Sequence, residues 1–174
     1  RFADYADIFR ECRRAGRGLT VHAGETGGAA EVREAVEALE PDRIGHGVRS
    51  VEDATVLGLL RERGTVLEVC PSSNLNTRVL ASLAEVRRVV SALLAHEVRF
   101  TISTDGPEML RSYLRDEFNL LMRHDILSLE QVERAIEVAE QASFLDRAPT
   151  IETSVSSRGD AGLADAPMPV EVAG

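Results

Sequence analysis

Four short apolar segments, Gly18 to His22, Arg43 to His46, Thr65 to Cys70 and Val98 to Ser103, constrain the fold of this chain more than any other feature. Each is bounded by Gly, Pro or polar turns and is too brief for a helix, so each reads as a buried strand. Helical periodicity fills the stretches between them. Val32, Val36 and Leu39 mark one face until Pro41 stops it, and Ser50 is placed to cap a helix through Leu60 that ends at Gly64. Leu83, Val86, Val90 and Leu93 stripe the third helix. After the fourth strand Pro107 suits a first helical position, followed at turn spacing by Met109, Tyr113 with Leu114, Phe118 and Leu121. Ser128 and Gln131 form the S-x-x-Q start of a last helix over Leu129 to Ala142. Strand and helix alternating four times predict an α/β fold with a parallel sheet and right-handed crossovers.

The 174 residues suit one domain with a substantial core. With 44% apolar and 28% charged residues the composition is that of a soluble, cytoplasmic protein, and no run approaches the ~20 apolar residues that span a bilayer. A net charge of −9 repels phosphate backbones, which argues against nucleic-acid or anionic-membrane partners and for a small-molecule one. Cys12 and Cys70 lie far apart with no C-x-x-C pair, so both read as reduced thiols, Cys70 as a small buried hydrophobe beside Pro71. The chain opens on Arg-Phe-Ala-Asp without a basic n-region or apolar h-region, and is expected to begin inside a longer gene product. Residues 1–149 are expected to form the folded unit. Residues 150–174, a Ser, Gly, Asp, Ala and Pro texture, are expected to be a disordered tail in which "RGD" is a chance tripeptide.

Three polar residues, His22, His46 and Asp105, all fall at the C-terminal end of a predicted strand. In parallel α/β barrels catalytic groups converge at that edge. A lone histidine there is ordinarily a packed or solvated side chain, and an Asp before Gly-Pro is ordinarily a turn or cap. Their coincidence on one edge is what points to chemistry. Imidazole nitrogen and carboxylate oxygen are ligands that zinc prefers, and a bound metal brings the pKa of water toward ~7. Glu25, just beyond His22, is placed to donate or accept the proton that hydrolysis needs. His96 and His124 end helical runs and read as structural.

"VHAGE", "RIGHG", "LEVCPSSN" and "STDGPEM", in that order on successive strands and followed by "ASFLD", resemble the second half of the adenosine deaminase family within the amidohydrolase group. The resemblance covers Leu19 to Leu145. It implies a (β/α)8 TIM-type barrel, of which this chain supplies strands five to eight, and one catalytic zinc ion. Carried over by motif, His22 matches a zinc ligand, and Glu25 matches the acid that protonates the purine ring nitrogen next to the reacting carbon. His46 matches the histidine that orients and helps deprotonate the attacking water, Asp105 the zinc-binding aspartate that also holds it, and Gly24 a position whose backbone touches the purine. The implied reaction is hydrolytic deamination of an adenine nucleoside, adenosine to inosine plus ammonia.

Two departures from the family pattern stand out. Its H-x-H pair on the first strand has no counterpart, because no H-x-H occurs in these residues. The chain therefore holds half a metal site, and its expected partner is the missing N-terminal half of the barrel, without which it is expected to bind zinc weakly and turn over no substrate. Gly106 stands where the family usually has a second aspartate that contacts the five-membered ring of the purine. That change opens two alternatives to adenosine: a bulkier nucleoside, as in the aminodeoxyfutalosine deaminases of menaquinone synthesis, and an inactive truncated relative. A ring-amide amidohydrolase fits the barrel, but the Glu25 of "HAGE" argues against it.

Overall fold

The structure, a computed structural model, describes residues 1–145. Strands β1 (Thr20–Ala23), β2 (Arg43–His46), β3 (Val66–Val69) and β4 (Phe100–Ile102) form one sheet in the order β1-β2-β3-β4, with every neighbouring pair parallel. Helices α1 (Ala6–Arg14), α2 (Ala29–Leu39), α3 (Ala54–Arg63), α4 (Pro71–Asn76), α5 (Leu83–Ala95), α6 (Pro107–Leu110), α7 (Leu114–Arg123) and α8 (Leu129–Gln141) precede, connect and follow the strands. Parallel neighbours that are also consecutive in the chain are crossover units, as the alternation predicted.

Register sets Val21, Ile44, Leu67 and Phe100 in one row and His22, Gly45, Glu68 and Thr101 in the next. The first row joins the core with Val32 and Val36 of α2, Leu57 and Leu60 of α3, and Val90 and Leu93 of α5. Strand alternation turns the second row to the opposite face. There Thr20 and His22 are exposed, so the first segment, expected to be buried, is open on one side. Among the described residues β1 and β4 are edges, each with a single strand neighbour.

Local chemistry moved several boundaries. Gly47, left-handed at φ 66°, starts a 3-10 turn over Val48–Glu52 directly from the end of β2. Ser50 therefore lies inside that turn, its buried Oγ unpartnered, and caps nothing. The cap of α3 is Asp53, which accepts from Thr55 N at 2.8 Å; the Thr55 hydroxyl and N–H together hold its carboxyl below its usual pKa. Gly64 (φ 66°) closes α3, and Ser128 with Gln131 forms the capping box of α8, both as expected. The stripe read from Met109 to Leu121 is broken, because Arg111 turns left-handed at φ 49° and separates α6 from α7. Met109 and Tyr113 are consequently exposed.

Two helices carried little sequence signal. Helix α1 has no fully buried residue, only the half-buried Ala6, Phe9 and Cys12 along one face, and α4 is short and largely polar. No helix among the described residues is long and apolar enough to cross a membrane. The expected tail over 150–174 lies outside the described residues.

Candidate active site

His22 on β1, Glu25 in the following turn and His46 at the end of β2 meet at the carboxyl end of the sheet. His22 Nε2 and Glu25 Oε2 are 2.8 Å apart, and His46 Nε2 is 3.7 Å from the same oxygen. The two imidazole rings stand 4.4 Å apart between centroids. Potential ligand atoms of these three residues all lie within 4.8 Å of one another. Asp105, in the turn after β4, sits at the margin of this group, its Oδ2 4.0 Å from His46 Nε2.

Backbone geometry explains how the group assembles. Alternation along β2 would send His46 toward the helix-packed side with Ile44, yet its φ of 63° takes it out of strand geometry and brings its ring beside His22. Asp105 is likewise left-handed, at φ 66°. Such backbone at non-glycine residues costs of order 1–3 kcal/mol and clusters where function requires it. Gly45 between them has no side chain; a Cβ there would stand 3.7 Å from His22 Nδ1.

The loops that carry these residues are tied together. Ser73 Oγ, on α4, donates to Asp105 Oδ2 at 2.7 Å, and the Asn74 side-chain amide meets His46 Nδ1 at 3.0 Å. Helix α4 is itself held by Glu117 of α7, a fully buried carboxylate that accepts from Ser72 N at 3.0 Å and from Ser112 Oγ. Cys70 is buried as expected, and it also lines the site. Burial, reinforced by the Asp105 carboxylate and then by Glu68, Glu117 and Glu25, pushes its thiol up to about 12.

Gly24 lies at this rim with φ 68°, but its N–H is given to Glu31 Oε2 at 2.6 Å and its carbonyl accepts from Arg49 N. Gly106 follows Asp105 and begins α6; a Cβ there would meet only Met109, at 3.4 Å. His96 and His124 cap the ends of α5 and α7, away from the group, as expected. A cavity of about 460 Å³, lined by His22, His46, Cys70, Asp105 and Leu114 among others, opens over the site. A larger concavity of about 660 Å³, near Arg17, Arg99 and Phe144, borders the amino ends of the strands and holds no metal-type grouping.

Sequence reasoning missed Ser73, Asn74 and Glu117. The signal for the first two was present: hydroxyl and amide side chains directly after Pro71, at the start of a helix leaving a strand end. Glu117 sits on an ordinary helical pattern, and only the packing of α7 against the α4 loop singles it out.

Comparison with known proteins shows what the chain resembles. An adenine deaminase of Rhizobium rhizogenes is 42% identical over 150 residues, 85% of this chain and 45% of its own length. A solved adenine deaminase from Arthrobacter aurescens superposes with a TM-score of 0.74 at 27% identity, over 83% of this chain and 44% of that one. An amidohydrolase from Burkholderia ambifaria, solved with bound zinc, shares the fold at a TM-score of 0.70 and 22% identity, over 82% of this chain and 40% of that one. The chain spans about half the length of the curated relatives it matches. Sheet and rim define a parallel α/β protein with imidazole and carboxylate groups gathered at the carboxyl ends of its strands. Within that class it belongs to the adenosine deaminase family, whose profile matches residues 1–152.

Proposed function

We propose that residues 1–149 supply strands five to eight, the C-terminal half, of a closed (β/α)8 barrel that hydrolytically deaminates an adenine ring. The observation that carries this reading is the set of imidazole and carboxylate donors of His22, Glu25 and His46, within 4.8 Å of one another at the strand ends, with Asp105 beside them. Nitrogen and oxygen donors of this kind suit zinc. His22 and Asp105, 61% and 43% exposed, are open to further ligands, while His46 is 2% exposed. His22 and Asp105 would hold the ion from this chain, and the missing half of the barrel would complete the set. A bound zinc ion supplies Lewis acidity that makes water nucleophilic near neutral pH.

The residues of this chain divide the remaining work. His46 and Asp105 hold the attacking water against the ring carbon that bears the amine. His46 helps take the first proton from the water while Glu25 donates one to the neighbouring ring nitrogen, so that the electron pair displaced by attack has a place to go; the proton on His46 returns to Glu25 as the cycle closes. The adduct then passes its hydroxyl proton to the amine, the C–N bond breaks, ammonia leaves and a carbonyl remains. Adenine plus water gives hypoxanthine plus ammonia.

The relatives named adenine deaminase support the free base as the first substrate to test. A second reading, an adenine nucleoside bulkier than adenosine, is supported by Gly106, which stands where the family usually has a second aspartate. A cytoplasmic setting belongs to the same proposal and is supported by two cysteines that are free thiols. The test is metal analysis of the full-length protein with ammonia release from adenine, adenosine and a nucleoside enlarged at the sugar. One zinc per chain and release from at least one of these is expected. Release from none by the zinc-loaded protein overturns the reading.

A further inference from the structure

Two concavities lie at opposite ends of the strands: one of about 460 Å³ lined by His22, His46 and Glu68, the other of about 660 Å³ lined by Gly18 and Phe144 among others. Arg43 lines neither and stands between them. Its Nη1 donates to Glu68 Oε1 at 2.9 Å, and its guanidinium lies 3.9 Å over the Phe144 ring. Thr20 Oγ1 donates to the other Glu68 oxygen at 3.4 Å, so the Glu68 side chain reaches from β3 across β2 to β1. Gly45, its neighbour in the register row, puts no side chain in that path. Phe144 seats its ring against Gly18, where a Cβ would stand 2.2 Å from it. Layers inside α/β barrels are ordinarily branched and aliphatic, so a charged pair there calls for a reason.

Register places Glu68 level with His22, two strands away. Two strand spacings are about 10 Å between Cα atoms, a gap that glutamate and histidine side chains close when turned toward each other. We propose that Arg43 is a positioning residue that draws the Glu68 carboxylate down to the floor of the catalytic cavity, with Phe144 holding the guanidinium from below, and so keeps that carboxylate off His22. The effect on turnover rests on the deamination reading above; the retraction of Glu68 does not. Glu25 and Asp105 are thereby left as the carboxylates at the rim. A third one there would pair with His22 and fill space that the purine ring needs. Removing one partner of an ion pair leaves the other charge uncompensated, so a Glu68 freed of Arg43 turns to the imidazole.

The test compares full-length wild type, Arg43→Met, and Arg43→Met combined with Glu68→Gln, by crystallography and by ammonia-release kinetics referred to the folded fraction. In the wild type Glu68 is expected on Arg43 and Thr20, and in Arg43→Met on His22. Arg43→Met is expected to lower kcat by about 10²-fold, and the added Glu68→Gln to recover about tenfold or more of that loss. A pair that serves stability alone would lower the denaturation midpoint and leave kcat in place. Wild-type kcat in Arg43→Met therefore overturns the proposal, as does a loss that Glu68→Gln fails to relieve, or a Glu68 still bound to Thr20 in the Arg43→Met crystal. Phe144→Leu keeps both charges and serves if Arg43→Met does not fold. It is expected to lower kcat by about threefold, again relieved by Glu68→Gln, and no loss in this variant overturns the proposal. Because the crystal structures need no substrate, failure to release ammonia from any purine strikes the functional reading, and the position of Glu68 still decides this one.

Discussion

Ser73 Oγ donates to Asp105 Oδ2 at 2.7 Å, so the helix that leaves β3 holds the carboxylate that leaves β4. Asp105 is 43% exposed and left-handed in backbone, and little else restrains it. Ser73→Ala is expected to cost only about 0.5–1.5 kcal/mol of stability, since water replaces the hydroxyl on an exposed carboxylate. It should lower kcat by about tenfold, because a carboxylate free to swing spends less time in its working position. Urea melts and ammonia-release kinetics on the full-length protein separate the two effects. A loss of stability with unchanged kcat would assign Ser73 to the fold alone.

Gly24 gives a prediction about the turn that brings Glu25 to the site. Its φ of 68° disfavours any side chain, and a Cβ would stand 2.3 Å from Val32 Cγ2 and 3.2 Å from Gly47 Cα. Gly24→Ala is expected to destabilise by about 2 kcal/mol or more, backbone strain and overpacking adding together. Denaturant midpoints measure this; a change below about 0.5 kcal/mol would show that the turn relaxes freely.

Glu117 joins α7 to α4 from a fully buried position. Replacing it with Leu leaves the Ser72 N–H and the Ser112 hydroxyl without their acceptor, at about 1–3 kcal/mol for each group that water cannot reach. Glu117→Gln keeps one acceptor oxygen and should cost less. Equal stability of the two variants would refute this role.

Cys70 predicts an alkaline limit. The unfolded thiol ionises near its ordinary value of 9.0, whereas the folded thiol stays neutral until about 12. The unfolded state therefore loses its proton first. The contribution is fully present below pH 9 and is lost as pH rises toward 12. In chelator-treated protein, stability should fall across that window, and less so in Cys70→Ala. At pH 8 a thiol reagent should label Cys12, which is partly exposed, well before Cys70. Equal labelling rates would contradict the buried placement.

Much of this was legible in the residues themselves. The β2 segment was read with its observed ends, the other three strands to within about two residues, and Gly64, Pro107 and Ser128 marked helix boundaries where they fall. These are local matters: apolar periodicity, the φ freedom of glycine and the missing N–H of proline act over a few residues and so are written in order along the chain. The placement of His22, His46 and Asp105 at strand ends was legible for the same reason.

Only the tertiary structure decided how those residues meet. That Glu25 bridges toward both imidazoles, that Ser73 and Asn74 reach across to Asp105 and His46 from 32 and 28 residues away, and that Glu117 anchors their helix depend on the packing of distant elements. The same holds for Ser50, whose capping signal lost to the tight turn begun by Gly47, and for α1, which buries no residue fully. Local preference is worth tenths to about one kcal/mol per residue, while buried hydrogen bonds and close packing act between segments far apart in the chain, so the sequence determined the elements and the tertiary contacts determined the site.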